Sequence, residues 1–215
     1  MSGPEGSPRV TGLVLGAGSS SRLGQPKQLL DYRGKPLLQA AVDNALAARF
    51  DQVIVTIGGA APEVRRSVDF GSAVVTENVA FTSGCSSSIV AALDHVDPRS
   101  VGIVLLLGDQ PGVTVETINH CIDTLARNTE SSPAPDPAAG SLLVCRYDDG
   151  RGHPFGFARP VFNELTALQG DKAVWKLLES GRHTVKEIRR PGTIPLDVDT
   201  WEEYEQLLAS MEEQR

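Results

Sequence analysis

Residues 101–107 (VGIVLLL) carry no polar side chain, and the run is closed by Gly108 and Pro111. A strand with one face in water alternates apolar and polar residues. An unbroken apolar run of this length is therefore expected as a central strand, covered on both faces of a parallel sheet. Parallel neighbours cannot be joined by a tight hairpin and need a crossover, usually a helix. The chain on either side should alternate strand and helix, and it does. Residues 10–15, 53–57 and 73–76 read as strands; residues 36–48 and 62–68 read as helices, with Pro36 suited to a first helical position. Ser86, Ser87 and Ser88 read as caps of a helix continuing to Val96, and Thr114 as the N-cap of a helix ending at Arg127. Residues 128–140, with three prolines, read as a surface loop. Beyond it, 141–146 and 184–188 suggest strands, 160–168 and 171–180 helices, and 200–211 an acidic closing helix. The expectation is an α/β layered fold with a mostly parallel sheet, whose ligands sit at the carboxyl ends of the strands.

The most informative such end follows the first strand. Gly16 and Gly18 open a loop that continues through three serines to Arg22 and Lys27. Glycines let backbone N–H groups approach phosphate oxygens, and the two cations supply charge. Two familiar glycine loops do not fit. Lys27 is followed by Gln28 rather than a hydroxyl residue, so the magnesium-holding group of a Walker A loop is missing, and Ser21 stands where a dinucleotide fingerprint needs its third small residue.

Three further polar clusters fall at element ends. Gly108-Asp109-Gln110-Pro111 follows the apolar run, Asp197-Val198-Asp199-Thr200 precedes the last helix, and in Arg151-Gly152-His153-Pro154 the histidine reads either as a donor to an acceptor phosphate or a proton-transfer group, or as an exposed turn residue. A carboxylate at the mouth of a buried strand is costly unless paired or metal-bound, which makes Asp109 a candidate magnesium ligand. Asp199 reads either as a second ligand or as the N-cap of the last helix, and Asp197 could share either role. Together, loop, cations and carboxylates would suit a magnesium triphosphate and an in-line displacement at phosphorus.

A net charge of −7 argues against a general nucleic-acid surface but is compatible with a small anion held by a few focused cations. No apolar stretch approaches the ~20 residues that span a bilayer, and the polar N-terminus does not resemble a signal sequence, so a cytoplasmic location is expected. Cys85, Cys121 and Cys145, odd in number and widely spaced, suit neither a disulfide framework nor a zinc site.

The motifs Leu15-Gly16-Ala17-Gly18-x-Ser20-x-Arg22-x-Gly24-x-x-Lys27-x-Leu29-Leu30, Gly34-Lys35-Pro36-Leu37-Leu38, Gly84-Cys85-Ser86-Ser87-Ser88, Leu107-Gly108-Asp109-Gln110-Pro111, Gly152-His153-Pro154, Gly170-Asp171 and Asp197-Val198-Asp199-Thr200 occur in one order along nearly the whole chain. This set resembles the MobA-like nucleotidyltransferases, and among them most closely the molybdenum cofactor cytidylyltransferases. The resemblance implies a Rossmann-like three-layer nucleotidyltransferase fold with a mostly parallel, mixed central sheet. It implies one domain over residues 10–212 behind a disordered tail of residues 1–9. It further implies transfer of CMP from CTP to the terminal phosphate of molybdenum-bearing molybdopterin, with release of pyrophosphate. On that pattern Arg22, Lys27 and Asp109 are catalytic, and Leu15, Gly16, Ala17, Gly18, Ser86 and Gly108 join them around the nucleotide. Asp109 and Asp199 hold Mg2+, while Gly152, His153 and Asp171 face the acceptor. Ala17 and Gln110 are similar to the cytidylyl rather than the guanylyl members. Phe155-Gly156-Phe157 and Lys172-Ala173-Val174-Trp175 depart from the pattern on the acceptor side, where Trp175 could stack on a flat ring or fill the core between helices. Two alternatives stay open. One is transfer from CTP, UTP or GTP to a sugar phosphate, phosphorylated alcohol or phosphoenolpyruvate; the other is a nucleotide-binding chaperone that inserts cofactor into a molybdoenzyme.

Overall fold

The apolar run forms the strand Ser100–Leu107, sixth in chain order and buried along almost its whole length in the centre of a seven-stranded sheet. The computed structural model describes residues 8–130, 142–170 and 172–212. Within them the chain runs β1 (Arg9–Gly16), a small hairpin of β2 (Asp31–Tyr32) and β3 (Lys35–Pro36), α1 (Leu37–Ala47), β4 (Gln52–Ile57), α2 (Ala61–Ser67), β5 (Val74–Glu77), α3 (Cys85–Leu93) and β6 (Ser100–Leu107). It continues with α4 (Val115–Glu130), β7 (Leu142–Arg146), β8 (Arg151–Ala158), α5 (Phe162–Thr166), α6 (Ala173–Glu179), β9 (Val185–Arg189) and α7 (Trp201–Glu212). The sheet order is β5-β4-β1-β6-β8-β7-β9.

Strands β5, β4, β1 and β6 are mutually parallel, as expected, but β6 has a parallel neighbour only in β1. On its other side it pairs antiparallel with β8, because β7 and β8 are joined by a tight turn in which the Tyr147 N–H donates to the Gly150 carbonyl at 2.8 Å. The sheet is thus mostly parallel but mixed. From β1 the chain winds outward to β4 and β5, then returns to lay β6 on the opposite side of β1. That reversal leaves a crevice at the carboxyl ends of β1 and β6, the usual ligand position in such sheets.

Alternation along the strands sends side chains to two cores. Val10, Val14, Val55, Val104 and Leu106 pack with residues of α1, α2 and α4 on one face. Leu13, Ile54, Ile103, Leu105, Phe155 and Phe157 pack against α3, α5 and α6 on the other. Each such side chain removed from water contributes about 1.5–3 kcal/mol, which fixes register, since a one-residue slip would exchange the two faces. A third cluster of Leu23, Leu30, Tyr32, Leu37, Val198 and Leu207 fastens α7 to the segment after the glycine loop.

Several local expectations need correction. The serines do not cap α3: Gly84 is the N-cap, with φ of 100°, a left-handed angle that favours glycine, and Cys85 to Ser88 already lie in the first helical turn. Residues 151–154 begin strand β8 rather than forming a turn. Helix α4 runs to Glu130, into the segment expected as loop; the remainder of that segment, residues 131–140, lies outside the described residues. Arg9, expected in the tail, already pairs in β1, and residues 1–7 lie outside the described residues. Thr114 does cap α4, its Oγ1 accepting from the Thr117 N–H at 3.2 Å.

Candidate active site

A cavity of about 450 Å³ opens at the crevice between β1 and β6. Its polar end is built by three segments far apart in sequence. The glycine loop leaves β1 and turns back at Ser20, whose φ of 54° lies in the left-handed region uncommon for a non-glycine residue. The Lys27 N–H donates to Ser20 Oγ at 2.9 Å, and the buried Gln28 side chain donates from Nε2 to the carbonyls of Gly16 and Gly18, both at 2.9 Å. Lys27 thereby returns to the mouth of β1.

Asp109 arrives at the end of β6. The Gly108 N–H donates to the Leu15 carbonyl at 2.9 Å, and a Cβ on Gly108 would lie 2.6 Å from Leu38 Cδ1, so only glycine lets the two strand ends close so tightly. Asp199 comes from the start of α7. Thr200 and Glu203 form a capping box there: Glu203 Oε2 accepts from the N–H groups of Asp199 and Thr200, each at 2.8 Å, and Thr200 Oγ1 accepts from the Glu203 N–H at 3.2 Å. Because Thr200 does the capping, the Asp199 carboxylate is released toward the cavity.

The two carboxylates meet on one cation. Lys27 Nζ donates to Asp109 Oδ2 and, at 2.6 Å, to Asp199 Oδ1; Arg22 reaches Asp199 Oδ2 at 3.3 Å from a more exposed position. Burial alone would lower the Lys27 pKa, but Asp109 and Asp199 outweigh it and hold the ammonium above its ordinary value. Burial raises the Asp109 carboxyl, Lys27 pulls it back, and nearby Asp197 pushes it up further. Burial would also raise Asp199, yet its bond to Lys27 and the charges of Lys27 and Arg22 leave it lowered. Two cations, Arg22 and Lys27, thus stand against three lining carboxylates, Asp109, Asp197 and Asp199.

The opposite wall is apolar and aromatic. The β7–β8 register passes from Val144↔Phe155 to Cys145↔Gly152, so His153 and Pro154 form a bulge in β8 that aims His153 into the cavity. Proline suits this place, having no N–H to lose from the ladder. The His153 ring lies over Phe155 with centroids 3.9 Å apart, and Trp175 meets Phe155 edge-on at 5.0 Å. Burial lowers the His153 pKa to about 3, so the ring is neutral at physiological pH and is no cation for a phosphate.

Of the residues singled out from sequence, Leu15, Ala17, Gly18, Arg22, Lys27, Asp109, His153 and Asp199 line this one cavity. Gly16 and Gly108 lie just behind it as strand-end hinges, and Gly152 packs against Ile194. Ser86 is buried away from the cavity; its neighbours Cys85 and Ser88 line it instead, because the helix begins one residue before the serines. Asp171 lies outside the described residues. Sequence reasoning missed Phe81 and Thr82, which rim the cavity after β5, and the buried Asn78, whose Nδ2 donates to Ser87 Oγ (2.8 Å) and Ser88 Oγ (3.0 Å) and sets the start of α3. Their position just past a strand's carboxyl end was the available signal. Cys121 and Cys145 are buried with sulfurs 3.8 Å apart, away from the cavity lining. Among the described residues no cluster of three or more His, Cys, Asp or Glu side chains could hold a metal, and no helix is long and apolar enough to cross a membrane.

Comparison with known proteins gives the family. Residues 12–186 match the model of the MobA-like NTP transferase domain. The chain is 33% identical over 148 residues to nicotine blue oxidoreductase of Paenarthrobacter nicotinovorans, covering 68% of this chain and 70% of that protein. It is 27% identical over 221 residues to the purine catabolism protein PucB of Bacillus subtilis, covering 95% and 98% of the two chains. Among solved structures, Rv0371c of Mycobacterium tuberculosis is 48% identical and superposes with a TM-score of 0.84, covering 94% of this chain and 99% of that one. A second structure of Rv0371c, 46% identical over the same shares with a TM-score of 0.79, is a complex with manganese. The family match spans β1, the glycine loop, β6 and Asp109, and the chain belongs to the MobA-like NTP transferase family of nucleotidyltransferases.

Proposed function

We propose that the protein transfers CMP from CTP to the terminal phosphate of a molybdopterin-type acceptor carrying molybdenum, releasing pyrophosphate. The observation that carries this reading is the convergence of Lys27, Asp109 and Asp199 beneath the glycine loop. A loop of backbone amides with Arg22 and Lys27 suits the β- and γ-phosphates, and the carboxylates suit a divalent cation.

The donor set fits Mg2+. Asp109 and Asp199 already share one cation in the form of the Lys27 ammonium, and three carboxylates against two cations leave too little positive charge for a triphosphate. Two carboxylates completed by substrate phosphates is the usual protein share of a magnesium site. The manganese complex of Rv0371c supports a divalent ion in this family. When bound, the ion would neutralise charge growing on the phosphate oxygens. Asp109 and Asp199 would hold the ion, and Lys27, which they now share, would be free to turn its ammonium to the triphosphate. The acceptor phosphate is already an anionic nucleophile, so no side chain need remove a proton. One acceptor oxygen attacks the α-phosphorus as the bond to pyrophosphate breaks in line. Neutral His153 matches that absence of base chemistry and serves as wall and hydrogen-bonding group rather than proton carrier.

The aromatic wall favours a planar acceptor. His153 over Phe155, with Trp175 edge-on, offers an apolar aromatic wall that a pterin would cover and a sugar phosphate would leave wet. On this reading the enzyme works in the cytoplasm and supplies a molybdoenzyme or its chaperone. The test is pyrophosphate release over the four nucleoside triphosphates with molybdopterin-type and sugar-phosphate acceptors. CTP with the molybdopterin acceptor should give the highest kcat/KM. Preference for a sugar phosphate, or capture of a molybdoenzyme without pyrophosphate release, would overturn it.

A further inference from the structure

We infer that Gln28 is a positioning residue that holds the phosphate loop in its anion-binding form, an inference that rests on the nucleotidyl-transfer reading above. Gln28 follows Lys27 in a single 3-10 turn, Lys27–Leu29, and its side chain is only 4% exposed although it is polar. Both hydrogens of its amide nitrogen are used on the glycine loop, one on the Gly16 carbonyl and one on the Gly18 carbonyl, at 2.9 Å each.

The consequence follows from peptide geometry. In a planar trans peptide the C=O of one residue and the N–H of the next point in opposite directions. Fixing the Gly16 and Gly18 carbonyls on Gln28 therefore turns the N–H groups of Ala17 and Ser19 away from it, and both residues line the cavity. Gly16 closes β1 opposite Ile57, whereas Gly18 lies in the loop beyond, where no strand neighbour fixes its peptide plane and glycine leaves it the most freedom. The same amide is also linked, through Ser20, to the backbone of Lys27. Gln28 Oε1 lies 3.4 Å from Ser20 Oγ, which accepts the Lys27 N–H at 2.9 Å, so one side chain ties the orientation of two amides to the backbone position of the site's lysine. Few side chains meet the requirement. Two donors on one buried atom are needed at this reach; glutamate at neutral pH and methionine supply none, and asparagine is one methylene short.

The test uses the full-length protein and two substitutions, Gln28→Met and Gln28→Glu, each titrated calorimetrically with CTP and with CMP in the presence of magnesium. CTP affinity should fall at least tenfold in both, CMP affinity much less, and KM for CTP should rise with a smaller change in kcat. A general loss of packing would instead weaken both nucleotides alike. In parallel, the 15N-labelled wild type is titrated with inorganic pyrophosphate. The Ala17 and Ser19 amide resonances should shift, and the Gln28 side-chain amide should exchange slowly with solvent. Unchanged CTP affinity in a folded variant, equal losses for CTP and CMP, or a Gln28 amide exchanging as fast as an exposed one would overturn the inference. The exchange measurement decides it even where neither variant folds. A wild type that binds no nucleoside triphosphate would instead overturn the nucleotidyl-transfer reading.

Discussion

Acidification should destabilise this protein through one histidine on the wall of its site. His153 is neutral in the folded chain, its pKa lowered by burial to about 3, whereas an unfolded chain takes up the proton near 6.5. Below pH 6.5 the unfolded state binds a proton that the folded state refuses, so stability is complete above that pH and is lost progressively as pH falls toward 3. Each pH unit in this window costs about 1.4 kcal/mol, or about 2 kcal/mol between pH 6.5 and 5. Water in the cavity screens part of that, leaving about 1–2 kcal/mol. For a chain of this size the equivalent is a drop in Tm of roughly 2–8 °C. The assay is urea unfolding of wild type and His153→Leu at pH 7 and pH 5. His95, His120 and His183 are present in both proteins and cancel in the difference. The wild type should lose about 1–2 kcal/mol more than the variant. Equal losses would refute the reasoning, because His153 would then be free to charge, and the wall facing the acceptor would be cationic rather than neutral and apolar.

Three further outcomes follow from the same geometry. Asp109→Asn should nearly abolish pyrophosphate release at saturating magnesium; turnover comparable with the wild type would remove Asp109 from the metal site. Lys27→Met takes away the cation shared by Asp109 and Asp199, so nucleotide-free protein should bind Mn2+ several-fold more tightly by electron paramagnetic resonance while CTP affinity falls; unchanged Mn2+ affinity would show that the lysine does not occupy the metal's place. Gly12→Ala would put a Cβ 2.6 Å from the Phe50 ring, and denaturant melts should register a loss of about 1–3 kcal/mol with the site's nucleotide affinity intact.

Much of the frame was legible because its signals are local. Residues 101–107 carry no polar side chain and residues 53–57 are β-branched throughout, and burial on both faces leaves few alternatives to a strand inside a layered fold. Thr114 was readable as a cap because a hydroxyl two or three residues before unpaired N–H groups acts at short range. The errors share a cause. Ser86 to Ser88 resemble caps, but Gly84 can adopt the left-handed angle that starts the helix earlier, and buried Asn78 binds the serine hydroxyls from outside the helix. Residues 151–154 resemble a turn, yet pairing of Arg151 and Gly152 with β7 overrides the local preference and absorbs the proline as a bulge.

The site divides along the same line. The sequence by itself determined which chemical groups are present: a glycine loop with two cations, Asp109 behind a buried strand, Asp199 before the last helix, and the motif order that indicated the family. Those depend on residue type and spacing. Only the tertiary structure decided that one ammonium would join carboxylates 82 and 172 positions away, that Thr200 would cap α7 and release Asp199, and that His153 would be half-buried and neutral over Phe155. It also decided that Gln28, a polar residue among leucines with no periodic signal, would fold inward to hold two glycine carbonyls. Burial, charge pairing and hydrogen bonds between distant segments are created by packing, and a linear pattern carries no record of them until the sheet brings the strand ends together.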